Sequence, residues 1–259
     1  MIDFFKNQDE RQVYFYLIAI FFLCFLIFNS AFKNGEPTCN RYMINVYLYI
    51  GLAVLFIGFV CYYTEYYKLN INFLTSLFSF ILTLVLIFVI HYVLPMKNIL
   101  LNHFLWILLI IGFSMMMYPV VSSPLYKPYI NRTIMIVALI FLVMTIVTYM
   151  YPTFFERTYG KAMTALIVSL IVIIIIELIG LIYGSITKKI NTGLFRITTY
   201  IVIFVFTLLV AYDTTRLKKK AKTCKESSLY EYANYPLESL ELILDLINLF
   251  LRILSLQRN

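Results

Sequence analysis

The chain has 259 residues, 62% of them hydrophobic and 13% charged, with a mean hydropathy of +0.88 and a formal net charge of +8. Soluble domains are about 45–50% apolar and about 25% charged, so a soluble globular protein is excluded. The apolar content runs through residues 1–259 as a single integral membrane domain. The positive charge then serves orientation and contact with anionic headgroups, and with no basic, aromatic-interleaved stretch outside the membrane, nucleic acid is excluded as a partner.

About 20 residues of helix cross the hydrocarbon core of a bilayer. Eight apolar segments of spanning or near-spanning length follow one another, at roughly 13–32, 43–63, 72–95, 102–121, 131–151, 162–184, 195–213 and 237–256. The first follows MIDFFKNQDER, a mixed-charge stretch with no small-residue cleavage site after the apolar run, which predicts a retained helix rather than a signal peptide. NGEP at 34–37, Pro95, the SSPLYKP run at 122–128 and Pro152 break the segments. Short connections of this kind predict antiparallel neighbours. The expected fold is all-α: a polytopic membrane helix bundle of seven to eight apolar segments, with the polar-striped C-terminal helix in the centre.

The most basic connection is predicted to be a loop over 214–236, carrying Arg216, Lys218, Lys219, Lys220, Lys222 and Lys225. The positive-inside rule puts it in the cytoplasm. Seven spans ahead of it would leave the N-terminus lumenal or external, and six would leave it cytoplasmic. The lysines serve topology and solvation, or contact anionic lipid or a partner. Of the four cysteines, Cys24 and Cys61 lie within apolar runs as packing residues, whereas Cys39 and Cys224 fall in different loops and indicate no disulfide framework. His91 and His103 lie near segment boundaries, where a headgroup-level position without a ligand role is expected.

The last two segments carry the informative residues. Asp213 closes IVIFVFTLLVAYD, and Asp245 lies within LESLELILDLINLFLRIL. A carboxylate in a bilayer costs about 2.5–3.5 kcal/mol on insertion scales, so such groups face protein or water and carry function. Glu238, Glu241, Asp245, Asn248 and Arg252 recur at intervals of three and four, which draws one polar stripe along a helix. Too polar to insert alone, this helix is expected to be sheltered by the others. The alternative is a helix lying flat on the membrane surface, which would favour Lys and Arg on its polar face. Glu177, within IVIIIIELIGLIYG, either lines the same path or is a structural acid bonded to a neighbouring helix.

The tail carries a recognisable series of steps: Tyr212-Asp213-Thr214, then Glu231-Tyr232, then Asp245-Leu-Ile-Asn248-Leu-Phe250. Upstream stand Thr153-Phe-Phe-Glu156-Arg-Thr158 and Arg11-Gln-Val13-Tyr14. With these residues the chain resembles the Bax inhibitor-1 (transmembrane Bax inhibitor motif, or lifeguard) family. Thr215 departs from the glutamine usual there, and the family's six or seven spans are fewer than the eight segments, so one segment, within 72–121, is expected to be extra. The resemblance implies a pH-sensitive calcium leak, suppression of cell death through membrane-protein partners, and an endomembrane or a bacterial plasma membrane as location.

Two carboxylates a few ångströms apart cannot comfortably both ionise, so Asp213 and Asp245, if they meet, share a proton. Protonated, the pair latches the last helix to its neighbour; deprotonated, it loosens and presents hard oxygen ligands suited to Ca²⁺. Glu238, Glu241, Asn248, Arg252, Glu177 and Arg216 are the accompanying pore-lining candidates, with Arg252 or Arg216 as counter-ion. No resident cofactor is expected, calcium being the permeant or bound ion, and nothing in the sequence sets an oligomeric state. An intramembrane aspartyl protease would need glycines before its second aspartate, and Ile-Leu-Asp245-Leu has none, so no enzyme is expected. A non-conducting scaffold that binds other membrane proteins is the main rival. A proton–cation exchanger would be expected to show paired broken helices, and none is evident.

Overall fold

The structure, a computed structural model, describes residues 2–69, 71–93, 98–187, 192–226 and 233–257. It is 89% helical. In chain order come α1 (Ile2–Ala31), a hairpin of β1 (Phe32–Lys33) and β2 (Glu36–Pro37), α2 (Tyr42–Tyr66), and α3 (Phe73–Phe88), which continues as a π-helical turn over Val89–Val93. Then follow α4 (Ile99–Val121), a 3₁₀ turn (Lys127–Tyr129), α5 (Ile130–Met150), α6 (Pro152–Thr187), α7 (Thr192–Glu226) and α8 (Tyr235–Gln257). Each of the eight apolar segments is a helix. Among the described residues seven helices, α1 to α7, are long and apolar enough to cross a membrane.

The breakers act by local chemistry. Asn34 and Gly35 both take positive φ, 56° and 82°, as a two-residue hairpin turn of matching twist requires, so NGEP folds into a minimal antiparallel hairpin with Phe32 opposite Pro37. Asn72 caps α3 by accepting the Thr75 N–H at 2.9 Å. Pro152 opens α6 at the position where a missing N–H is harmless. Asn234 caps α8 by accepting the Leu237 N–H at 3.2 Å. Pro95 and the Glu231-Tyr232 step lie outside the described residues.

Two sequence expectations are corrected. The basic stretch from 214 is not a loop at its start: α7 runs unbroken to Glu226, so Arg216 and the lysines through Lys225 ride on a helical extension. The run of lysines does not interrupt the helix because lysine is a good helix former. Cys39 and Cys224 are joined in a disulfide, with Cα atoms 5.6 Å apart across 185 residues of sequence. Sequence spacing could not reveal that pairing, because it depends on which helix ends share a membrane face.

The chain divides into two compact units, Met1–Lys127 with Lys220–Ile243, and Pro128–Lys219 with Leu244–Asn259. In the first unit α1 packs on α2, while α4 packs on both α2 and α3. Its core includes Val46, Ala53, Leu109 and Ile110. Gly112 on α4 faces Thr83 and the Ser79 carbonyl on α3, so closely that a Cβ there would stand 2.5 Å from the Thr83 hydroxyl oxygen; small residues allow such approach in membranes. In the second unit Phe155, Leu166 and Ile173 of α6 pack with Val202, Val205, Leu209 and Tyr212 of α7. The outer faces, such as Phe21, Phe25 and Phe28 of α1 and Ile171, Ile175 and Ile179 of α6, are exposed apolar surface. For a chain solvated by lipid that is the expected arrangement.

Candidate functional site

Every described residue of α8 is buried or half-buried. A helix lying flat on a surface would expose its polar face, so α8 is a sheltered helix. Its apolar positions explain this: Leu240, Ile243, Ile247, Phe250 and Leu254 recur at threes and fours and are buried, opposite the polar stripe.

The start of α8 is fastened within the first unit. Tyr235, fully buried, donates its O–H to the Thr38 carbonyl and accepts from the Asn45 side-chain amide at 3.2 Å. Asn45 also donates to the Asn40 carbonyl at 3.0 Å and accepts from the Ser30 hydroxyl. The Trp106 indole N–H donates to the Ser239 hydroxyl at 3.1 Å. Glu238, 5% exposed, takes the Lys220 ammonium at 2.6 Å. With the Cys39–Cys224 disulfide, these contacts bind the end of α7 and the beginning of α8 to the hairpin and α2. Of these fasteners Glu238 stands on the polar stripe and Lys220 in the basic run, whereas Tyr235, Trp106 and Ser239 carry no sequence signal and Asn45 carries one, an amide inside an apolar segment.

In the second unit the other end of the stripe is tied as well. Arg252 donates two hydrogen bonds to the Glu177 carboxylate, at 2.6 and 2.7 Å, a charge-assisted bidentate pair of the strongest kind. Glu177 is thus bonded to a neighbouring helix, and the carboxylate that Arg252 serves is Glu177. Asn248 donates to the Leu244 carbonyl of its own helix at 2.9 Å; Glu241, seven residues earlier on α8 and part of the first unit, is half-buried.

Asp213 and Asp245, 4% and 5% exposed, are both buried and both belong to the second unit. Arg216 lies one turn beyond Asp213 on α7 and is half-buried. The step around Asp213 is held on each side. Tyr212 packs edge-on against Phe155 and its hydroxyl lies 3.0 Å from that of Thr158. Thr158 donates to the Phe154 carbonyl, so the Tyr212 O–H donates to Thr158. The 153–158 and 212–214 steps, distant in sequence, are thus in direct contact. Thr214 and Thr215 donate to the Val210 and Ala211 carbonyls of their own helix.

The lysines past Asp213 are also engaged. The Lys218 ammonium sits 4.4 Å from the centre of the Tyr149 ring and donates to the Thr148 carbonyl, and Lys219 sits 5.0 Å from the Tyr159 ring. Among the described residues no group of three or more His, Cys, Asp or Glu is gathered as a metal site. His91 is exposed on the π-helical turn, whereas His103 is half-buried and bonded to Tyr49, a more protein-bound setting than a headgroup-level position.

No curated protein and no solved structure matches the chain. A family model does, over residues 39–259, leaving α1 and its Arg11-Gln-Val13-Tyr14 opening outside the match and the 72–121 segments inside it. The model is described as "Inhibitor of apoptosis-promoting Bax1", and with its match covering α2 to α8 the chain belongs to the Bax inhibitor family of multi-pass membrane proteins.

Proposed function

We propose that this protein is a pH-sensitive calcium leak channel of its membrane, non-enzymatic, in which Asp213 and Asp245 are the proton-linked gate and through which it lowers stored calcium and suppresses apoptosis. The observation that carries the reading is the burial of both aspartates on neighbouring segments of one compact unit, at a cost that membrane proteins accept for function. A shared proton closes the gate by a hydrogen bond between the carboxyl groups. Its loss sets two negative charges against each other and offers oxygen ligands to Ca²⁺. With two carboxylates rather than a cage, the ion is cargo in passage. Arg216 is the nearby cation on α7 that limits the repulsion, and Asn248 lines the approach. The lysine-bearing end of α7 is read as cytoplasmic.

The sign of the pH response follows. Raising pH removes the proton and opens the path, so calcium flux into proteoliposomes containing only this protein should rise between pH 5 and pH 8. Asp213→Asn, which preserves a hydrogen-bonding side chain but cannot ionise, should abolish the leak throughout that range. No flux at any pH would overturn the conducting reading. A second reading, a non-conducting scaffold for membrane-protein partners, is favoured by the ion pairs at both ends of the stripe, Lys220–Glu238 and Glu177–Arg252, which fasten α8 as a latch would.

A further inference from the structure

Within the first unit α1, α2 and α4 enclose a cleft of about 550 Å³, inside the range of about 300–1,000 Å³ typical of small-molecule sites. Its rim is formed where α1 ends and α4 begins, by Phe32, Gly35, Ile99 and Leu100, and its depth reaches Ile20 and Phe56. Phe56 lies 14 positions into α2 from Tyr42, roughly 21 Å at 1.5 Å per residue. The cleft thus runs from the ends of these spanning-length helices toward their middles. Its lining is apolar, save chiefly for Tyr49 and His103.

Their bonding defines what the cleft can accept. His103 Nδ1 lies 2.7 Å from the Ile99 carbonyl, which can only accept, so Nδ1 carries the proton. Nε2 is then an acceptor and takes the Tyr49 O–H at 2.6 Å. Both protons of the pair are committed. What is left for a ligand is the lone pair of the Tyr49 phenol oxygen, an acceptor without a donor beside it. A carboxylate or phosphate, which has only oxygens to offer, finds no donor there, whereas a hydroxyl finds its complement. Tyr49 and His103 stand seven and four residues from the starts of α2 and α4, roughly 6–10 Å below the rim, with apolar wall beneath them.

We propose that this cleft is a binding site for one neutral, hydroxyl-bearing lipid with a single hydrocarbon body, its hydroxyl donated to Tyr49 and its hydrocarbon filling the depth toward Ile20 and Phe56. A sterol and a long-chain alcohol share this chemistry. The site is separate from the aspartates and does not depend on their role.

The test uses the full chain in phosphatidylcholine nanodiscs with photoactivatable, alkyne-tagged probes: a sterol, a long-chain alcohol, the matched fatty acid and the matched alkane. One or both hydroxyl probes should label peptides of α1 and α4 saturably and above the acid and the alkane, and whichever does so identifies the source. Tyr49→Phe/His103→Phe, which retains both rings, should weaken hydroxyl labelling about fivefold, the worth of about one hydrogen bond, and leave alkane labelling unchanged. Ile107→Trp, which fills the cleft from α4, should abolish saturable labelling while the protein still elutes as a single species. Equal labelling by acid and alcohol, or hydroxyl labelling indifferent to both variants, would overturn the proposal.

Discussion

At the scale of single residues, the Arg252–Glu177 pair is the contact most exposed to test. Both groups are largely buried, 24% and 14% exposed at the side chain, and removing one partner of such a pair strands the other charge at a cost of about 3 kcal/mol. Arg252→Met alone should therefore lower the thermal midpoint of the detergent-solubilised protein by roughly 6–12 °C, taking about 2–4 °C per kcal/mol. The double variant Glu177→Gln/Arg252→Met removes both charges and should recover most of that loss. A double variant as unstable as the single one would show that the pair is not the stabilising contact. Arg252 was legible as a charge that needs a partner. Glu177 as that partner was not, because 75 positions separate them and only the packing of α6 beside α8 brings them together.

At the scale of elements, α8 and the end of α7 behave as one fastened piece. Closing a loop of 185 residues by the Cys39–Cys224 bond stabilises a chain by about 2–4 kcal/mol in typical cases. Cys224→Ser should lower the thermal midpoint, and the wild-type protein should run faster on a non-reducing gel than after reduction. Identical mobility of wild type and variant under oxidising conditions would show that the thiols never join. The cytoplasmic reading of the lysine-bearing end of α7 requires the pair to be reduced in cells, so a Cys39–Cys224 bond found there would place that end on the lumenal or external face. Between α3 and α4, Gly112→Ala pushes a methyl group into Thr83, which is 2% exposed and already bonded to the Ser79 carbonyl. Overpacking of this kind costs about 1–3 kcal/mol, and α3 should become the segment first cleaved by protease in detergent; unchanged stability would mean that the two helices part freely.

At the scale of the whole molecule, the disulfide constrains topology. Cys39 follows the first helix of spanning length and Cys224 ends the seventh; six crossings by α2 to α7 would return the chain to the face it left, as a bond between the two cysteines requires. The Lys127–Glu65 ion pair at 2.7 Å joins the last turn of α2 to the 3₁₀ turn before α5, with an even number of spanning-length helices, α3 and α4, between them. Single-cysteine accessibility mapping in a cysteine-free background should find positions 36 and 222 labelled from one side and positions 68 and 125 from the other. Labelling of 36 and 222 from opposite sides would mean that one of α2 to α7 fails to cross.

The membrane class, the helical segments and the sheltered position of α8 follow from composition and periodicity, because the cost of an exposed backbone or charge in hydrocarbon leaves few other solutions. The Asn-Gly hairpin and the Pro152 start are equally local matters, since their turn chemistry involves only adjacent residues. Partnership is different. Cys39 with Cys224, Glu177 with Arg252, Tyr235 with Thr38 and Asn45, and Tyr49 with His103 all join residues far apart in sequence, on separate elements or their connections. Apolar periodicity specifies which face of a helix turns inward but not which neighbour or what depth it meets there. Only the packed tertiary structure decided these pairs.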